Sequence, residues 1–234
     1  MKNKPEWKAK PALACYIALV GGVFVGSVIV ELVLFGMGVD FLDLPFPFAF
    51  IASPVNETIF LGITLLFARY KNAGLKELGL KKASLRILAV VSVLAVPFYF
   101  LGVGISVGEE IFFGPDPFAG LFAESLMPRD FSQLIVMIAL FLVVVGPIEE
   151  LAFRGFVQKG FENSLGKTKG LLVASILFGL LHGLNTPYAI VPTFVGGLFL
   201  GYVWQRTDGN TIASALMHGV SNSVSIVIAY FLVF

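Results

Sequence analysis

Residues 170–205 read GLLVASILFG LLHGLNTPYA IVPTFVGGLF LGYVWQ, 36 positions without a single Asp, Glu, Lys or Arg. A hydrocarbon core of about 30 Å is crossed by roughly 20 apolar residues at a helical rise of 1.5 Å. The run is therefore long enough for two crossings. Gly183-Leu184-Asn185-Thr186-Pro187 supplies the turn chemistry that divides it. Outward from this stretch, residues 87–108, 131–148 and 209–234 are equally free of charge. Of the 234 residues, 57% are hydrophobic and only 13% charged, against about 25% charged in an average soluble domain. The pattern predicts an all-α, polytopic transmembrane helix bundle forming one domain over 1–234. Seven spans are expected, near 12–37, 45–68, 86–107, 131–153, 170–184, 188–205 and 210–234, and eight if one of the longer runs is broken.

Basic residues orient the bundle. With the N-terminus on the cytoplasmic side, Lys2, Lys4, Lys8 and Lys10 face inward together with the 69–86 cluster. Arg154, Lys159, Lys167, Lys169 and Arg206 join them, so fifteen of the sixteen lysines and arginines lie inside and only Arg129 outside. The opposite side collects Asp40, Asp43, Glu109, Glu110, Asp116, Glu124 and Asp130. The first apolar run is too long for a secretory leader and reads as a retained span. Segment 71–86 is expected either as a short amphipathic piece on the cytoplasmic surface or as an ordinary basic loop. A net charge of +1 with no basic stripe gives no sign of a nucleic-acid partner, and the single Cys15 excludes an internal disulfide framework.

Ionisable groups in a bilayer cost about 2.5–3.5 kcal/mol each on insertion scales, which makes them functional candidates. Here they cluster. Glu149, Glu150 and Arg154 sit on the fourth span, His182 on the fifth, and His218 with Asn222 on the seventh; these are the only two histidines in the chain. Glu150 and Arg154 are four apart, on one helix face and in the favourable acid-first order. Glu149 points about 100° away and lacks a local partner, as a general base for water would. The same segment would also serve as an ion-paired anchor of the helix end. Phe178 and His182 share a face, so the ring can limit rotation of the imidazole. His218 and Asn222 share another, able to hold an oxyanion or to bond across packed helices. At the helical rise His182 lies roughly 20 Å and His218 roughly 15 Å in from the cytoplasmic side, and Glu149 reaches a similar depth if its helix continues past Arg154 toward Lys159. Glu31 and Glu57 are further intramembrane acids. Glu57 follows Pro54, where a broken helix would line a cavity bordering the substrate route, or would be hydrogen-bonded to a neighbouring helix.

Glu149-Glu150-x-x-x-Arg154, Phe178-x-x-x-His182 and His218-x-x-x-Asn222, in that order and each on a hydrophobic span, resemble the three motifs of the type II CAAX prenyl endopeptidase family. This family is also called the Abi or CPBP intramembrane proteases. The resemblance covers about residues 115–234. It implies that Glu149 activates water with the help of His182, that His218 and Asn222 stabilise the oxyanion, and that Glu150 and Arg154 support the site. The implied partners are membrane lipid and a membrane-associated or lipidated peptide. The implied setting is a multi-pass cell-membrane protein with its active site in, and opening toward, the cytoplasmic half. No cofactor is certain. Zinc, if bound, would take His182, His218 and Glu149 or Glu150, but the His-x-x-x-His helix of common zinc peptidases is absent, which favours a metal-free site. Without a serine or cysteine placed beside a base, no covalent intermediate is expected, and Ser221 and Ser223 are expected to serve packing. The alternatives are a proton-coupled small-solute transporter and a catalytically silent immunity or scaffold protein.

Overall fold

The computed structural model describes residues 6–40 and 43–233; Lys2 and Lys4 lie outside the described residues. The elements are helices: α1 (Ala9–Gly36), α2 (Ala49–Tyr70), α3 (Leu85–Phe113), α4 (Ala119–Leu126), α5 (Phe131–Leu165), α6 (Lys167–His182), α7 (Ile190–Arg206) and α8 (Thr211–Val233). Six of the seven expected crossings are long and apolar enough to traverse a membrane. The exception is α6. Its 16 residues reach only about 24 Å, because it starts directly after Gly166 and stops at the 183–186 turn. Gly166 has φ +81°, a conformation glycine adopts at no steric cost, and it alone reverses the chain between α5 and α6. The eighth helix, α4, comes from the outer loop rather than from a broken span.

Helix α5 is the central element, packed on by α1, α2, α6 and α8. It runs well past the expected 153, and its course is not purely α. Phe141–Val145 and Leu151–Gln158 are π-helical, with Gly146 N–H reaching back five residues to Phe141 O. Pro147 has no N–H to give, and the widened turn before it keeps the helix continuous. Such π segments concentrate at functional sites, and here they bracket Glu149 and Glu150. Pro54, by contrast, does not break α2, which continues through it.

Contacts between distant segments fix the two ends of the bundle. At one end Ala9 N–H donates to Ser164 Oγ (2.8 Å), Asn163 Nδ2 to Trp7 O (3.0 Å), Lys159 Nζ to Glu77 O and Lys81 Nζ to Asp208 O (2.5 Å each). All described basic segments except Arg129 therefore gather around this end. At the other, Gln133 Nε2 donates to Pro45 O (3.1 Å), Thr186 Oγ1 to Asp116 Oδ2 (2.8 Å) and Tyr188 Oη to Gly114 O (2.9 Å). Segment 71–84 is turns and irregular chain, the loop rather than the amphipathic piece of the two alternatives. Leu75 and Leu80 stay exposed while Leu78 is fully buried, so no continuous apolar face exists to favour a helix. Thr211 instead clamps it from α8, Oγ1 to Leu78 O (2.6 Å) and N–H to Gly79 O (2.9 Å).

Candidate active site

The three motifs meet between α5, α6 and α8. The crossing of α5 and α8 is the reason they can. A Cβ on Gly146 would lie 2.8 Å from Ala215 O, and one on Gly219 would lie 2.7 Å from Phe141 O. Two bare backbones in near contact are what small residues permit in membrane helices. That approach brings His218, beside Gly219, onto Glu150: His218 Nδ1 donates to Glu150 Oε1 at 3.2 Å. Glu150 Oε2 also faces Arg154 Nε at 3.2 Å, and Arg154 donates through Nη2 to Gly197 O on α7 (3.4 Å). Glu150 is wholly buried and Arg154 nearly so. Removing a charge from a buried pair is costly, and here Glu150 takes a hydrogen bond from His218 on α8 and an ion-pair contact from Arg154 one turn along α5, although Glu150 Oε2 and Arg154 Nε make no hydrogen bond of their own among the described residues.

Glu149, one residue earlier, faces the other way into a cavity of about 810 Å³. Its Oε2 accepts no hydrogen bond from the described residues and lies 3.9 Å from His182 Nε2. His182 is the last residue of α6, and its Nδ1 donates to Phe178 O at 2.9 Å. A carbonyl only accepts, so Nδ1 carries a proton, and in the neutral ring the lone pair of Nε2 faces Glu149. Phe178 does more than flank this ring. It packs 4.5 Å from the His182 ring, 6.0 Å from that of His218, and 4.5 Å beneath the Arg154 guanidinium. One phenyl group thus touches all three cationic or titratable partners.

Asn222 lines the same cavity one turn beyond His218. Ser221 does so too, against the expectation that it would only pack: three residues after His218 is 60° away on the helix, still the same side. Ser223 is turned back on its own helix, bonding Gly219 O at 2.7 Å. Glu57 lines the cavity and stands close enough to Glu149 for the two carboxylates to repel. Its Oε2 and the neighbouring Asn56 Oδ1 are buried without hydrogen-bond partners among the described residues. Glu31 is exposed on the outer face of α1 and takes no part.

The donor set does not suit zinc as arranged. No three His, Cys, Asp or Glu side chains converge on one point among the described residues, and Glu150 is already committed to Arg154 and His218.

Fold and site together define a multi-pass helical membrane protein with an acid–imidazole cluster at the bottom of a cavity. Residues 131–224 match the model of the family described as type II CAAX prenyl endopeptidase Rce1-like. That segment carries all three motifs, so the resemblance read from them holds. A protein of Mycoplasma capricolum, described only as uncharacterized, is 29% identical over 96 residues, covering 40% of this chain and 28% of its own length. No solved structure matches.

Proposed function

We propose that this protein is an intramembrane endopeptidase that hydrolyses a peptide bond of a membrane-associated substrate, prenylated or not, with water activated between Glu149 and His182. The observation that carries this reading is the 3.9 Å separation of Glu149 Oε2 and His182 Nε2, on two residues that both line the cavity. A water donating one hydrogen to each lies within reach of both, with its lone pairs left for the scissile carbonyl. As its oxygen attacks the carbonyl carbon, one proton passes to Glu149 and the carbonyl π pair moves onto oxygen. Asn222 Nδ2–H and the Nε2–H of a protonated His218 hold that oxyanion. The Glu150–His218 bond fits this role, because an imidazolium there balances Glu149, Glu150 and Arg154 to zero net charge. The C–N bond then breaks, and the leaving nitrogen takes the proton from Glu149. No covalent enzyme intermediate forms and no metal enters any step.

The match to an endopeptidase family over the motif-bearing segment supports the reaction class. Incubation of the purified protein with prenylated and unprenylated membrane peptides, with and without a chelator, tests the proposal. Cleavage that survives chelation is expected. Loss on chelation with recovery on added zinc would overturn the metal-free mechanism, and no cleavage of any such peptide would overturn the reaction.

A further inference from the structure

The cavity is strongly one-sided. The lining residues lie at the middle of each long helix or toward its end remote from the basic loops: 23–27 of α1, 49–60 of α2, 98–110 of α3, 141–149 of α5, 178–182 of α6, 192–200 of α7 and 218–226 of α8, joined by 119–126 of α4. Its floor is Phe60, Phe178 and Leu200, each at most 3% exposed. Beneath that floor the interior is filled. Trp7, Leu78, Phe153 and Phe156 are buried, Trp7 stacks on Phe156 at 4.8 Å, and Gly155 lies so close to the 71–84 turns that a Cβ there would sit 2.5 Å from Leu78 O. The mouth is formed instead by Glu110, Asp116, Asn185, Thr186 and Tyr188. Among the described lining residues are four carboxylates, Glu57, Glu110, Asp116 and Glu149, and no lysine or arginine. One of these, Glu57, is 6% exposed and has an oxygen without a hydrogen-bond partner.

We infer that substrate reaches Glu149 from the end of the bundle opposite the basic loops, and that this funnel accepts a peptide segment bearing a lysine or arginine. By the positive-inside rule the basic end is cytoplasmic, so the mouth faces the extracytoplasmic side. This reverses the direction of opening expected from the sequence, although the site itself stays deep. A cleft with one sign of charge and low-dielectric walls concentrates the opposite charge, and Glu57, which lines the cavity with an oxygen unpartnered among the described residues, adds to that field. That the segment is cut once inside rests on the peptidase reading; the direction of entry does not.

Cysteine accessibility separates the two. In a Cys15→Ala background, Asn185→Cys marks the mouth, and Ser225→Cys, exposed on the same cavity, marks it a second time. Lys76→Cys marks the basic end. In intact cells a membrane-impermeant maleimide is expected to label the two mouth positions, and Lys76→Cys only after permeabilisation. The reverse pattern, or failure of both mouth positions to label even after permeabilisation, overturns the inference. In the purified protein, a hydrophobic peptide containing lysine is expected to slow labelling of Asn185→Cys at least threefold more than its glutamate counterpart, a preference reduced by Glu57→Gln. Equal protection by the two peptides overturns the charge selectivity. Neither readout needs turnover, so a protein that labels and binds as expected but cuts no peptide refutes the peptidase reading alone.

Discussion

Across 68 residues of sequence, His218 on α8 donates a 3.2 Å hydrogen bond to Glu150 on α5, tying the third motif to the first. The adjacent glutamates thereby acquire different duties. Glu150 holds the helices together, and Glu149 is left facing the cavity.

Glu150→Gln removes the charge that Arg154 and His218 share. Breaking a buried pair from one side typically costs about 3–5 kcal/mol, so thermal unfolding in detergent should show a large loss of stability. Glu149→Gln should change stability by less than about 1 kcal/mol, as at a position outside the packed core. Equal stability losses for the two variants would contradict this division.

Gly219→Ala places a Cβ 2.7 Å from Phe141 O. Backbone atoms cannot rotate aside, so α8 must move off α5 at a cost of about 1–3 kcal/mol, as in other overpacked contacts. His218 moves with it. Peptide cleavage should therefore fall more than stability alone explains, measured as kcat at a temperature where the variant is fully folded.

Phe178→Leu keeps an apolar side chain but loses the face beneath Arg154 and the wall beside His182. A desolvated cation–π contact is worth about 2 kcal/mol. A stability loss of that order is expected, together with reduced kcat and little change in KM. Wild-type kcat in this variant would leave the ring without a positioning role.

These sites differ in how much of them the sequence reveals. Uncharged runs such as 170–205 identify membrane helices because insertion needs only length and apolarity, and four-residue spacing puts Glu150 with Arg154 and Phe178 with His182 without knowledge of any neighbour. The Glu150–His218 bond is different in kind. It depends on two glycines, Gly146 and Gly219, facing each other across a helix crossing, and nothing local in either segment announces that. The packing of Leu78 beneath the site was hidden likewise, since its neighbours Leu75 and Leu80 are exposed and share its composition. The direction of the cavity escaped because burial along α5 becomes complete from Glu150 to Gln158, where the sequence turns more polar with Arg154 and Gln158, the reverse of what composition suggests for a packed interior. Of the seven spans read from the sequence, α6 is apolar from Gly170 onward but only 16 residues long, and the other six have the length of a crossing.

Thr211→Val tests the clamp on the 71–84 turns. It removes the donor to Leu78 O while leaving the shape nearly unchanged, and a buried acceptor left unmatched costs about 1–3 kcal/mol. Limited proteolysis within 71–84 should accelerate in the variant. An unchanged cleavage pattern would mean that the remaining contacts, Lys159 to Glu77 O and Asn210 to Lys82 O (3.2 Å), suffice to hold the segment.

The rate of peptide cleavage by Glu149→Gln, relative to wild type and with folding verified, bears most directly on the site as a whole. A general base contributes about 10²- to 10⁴-fold, and a loss in that range with unchanged unfolding temperature is predicted. A rate within about threefold of wild type would place water activation elsewhere and contradict the account.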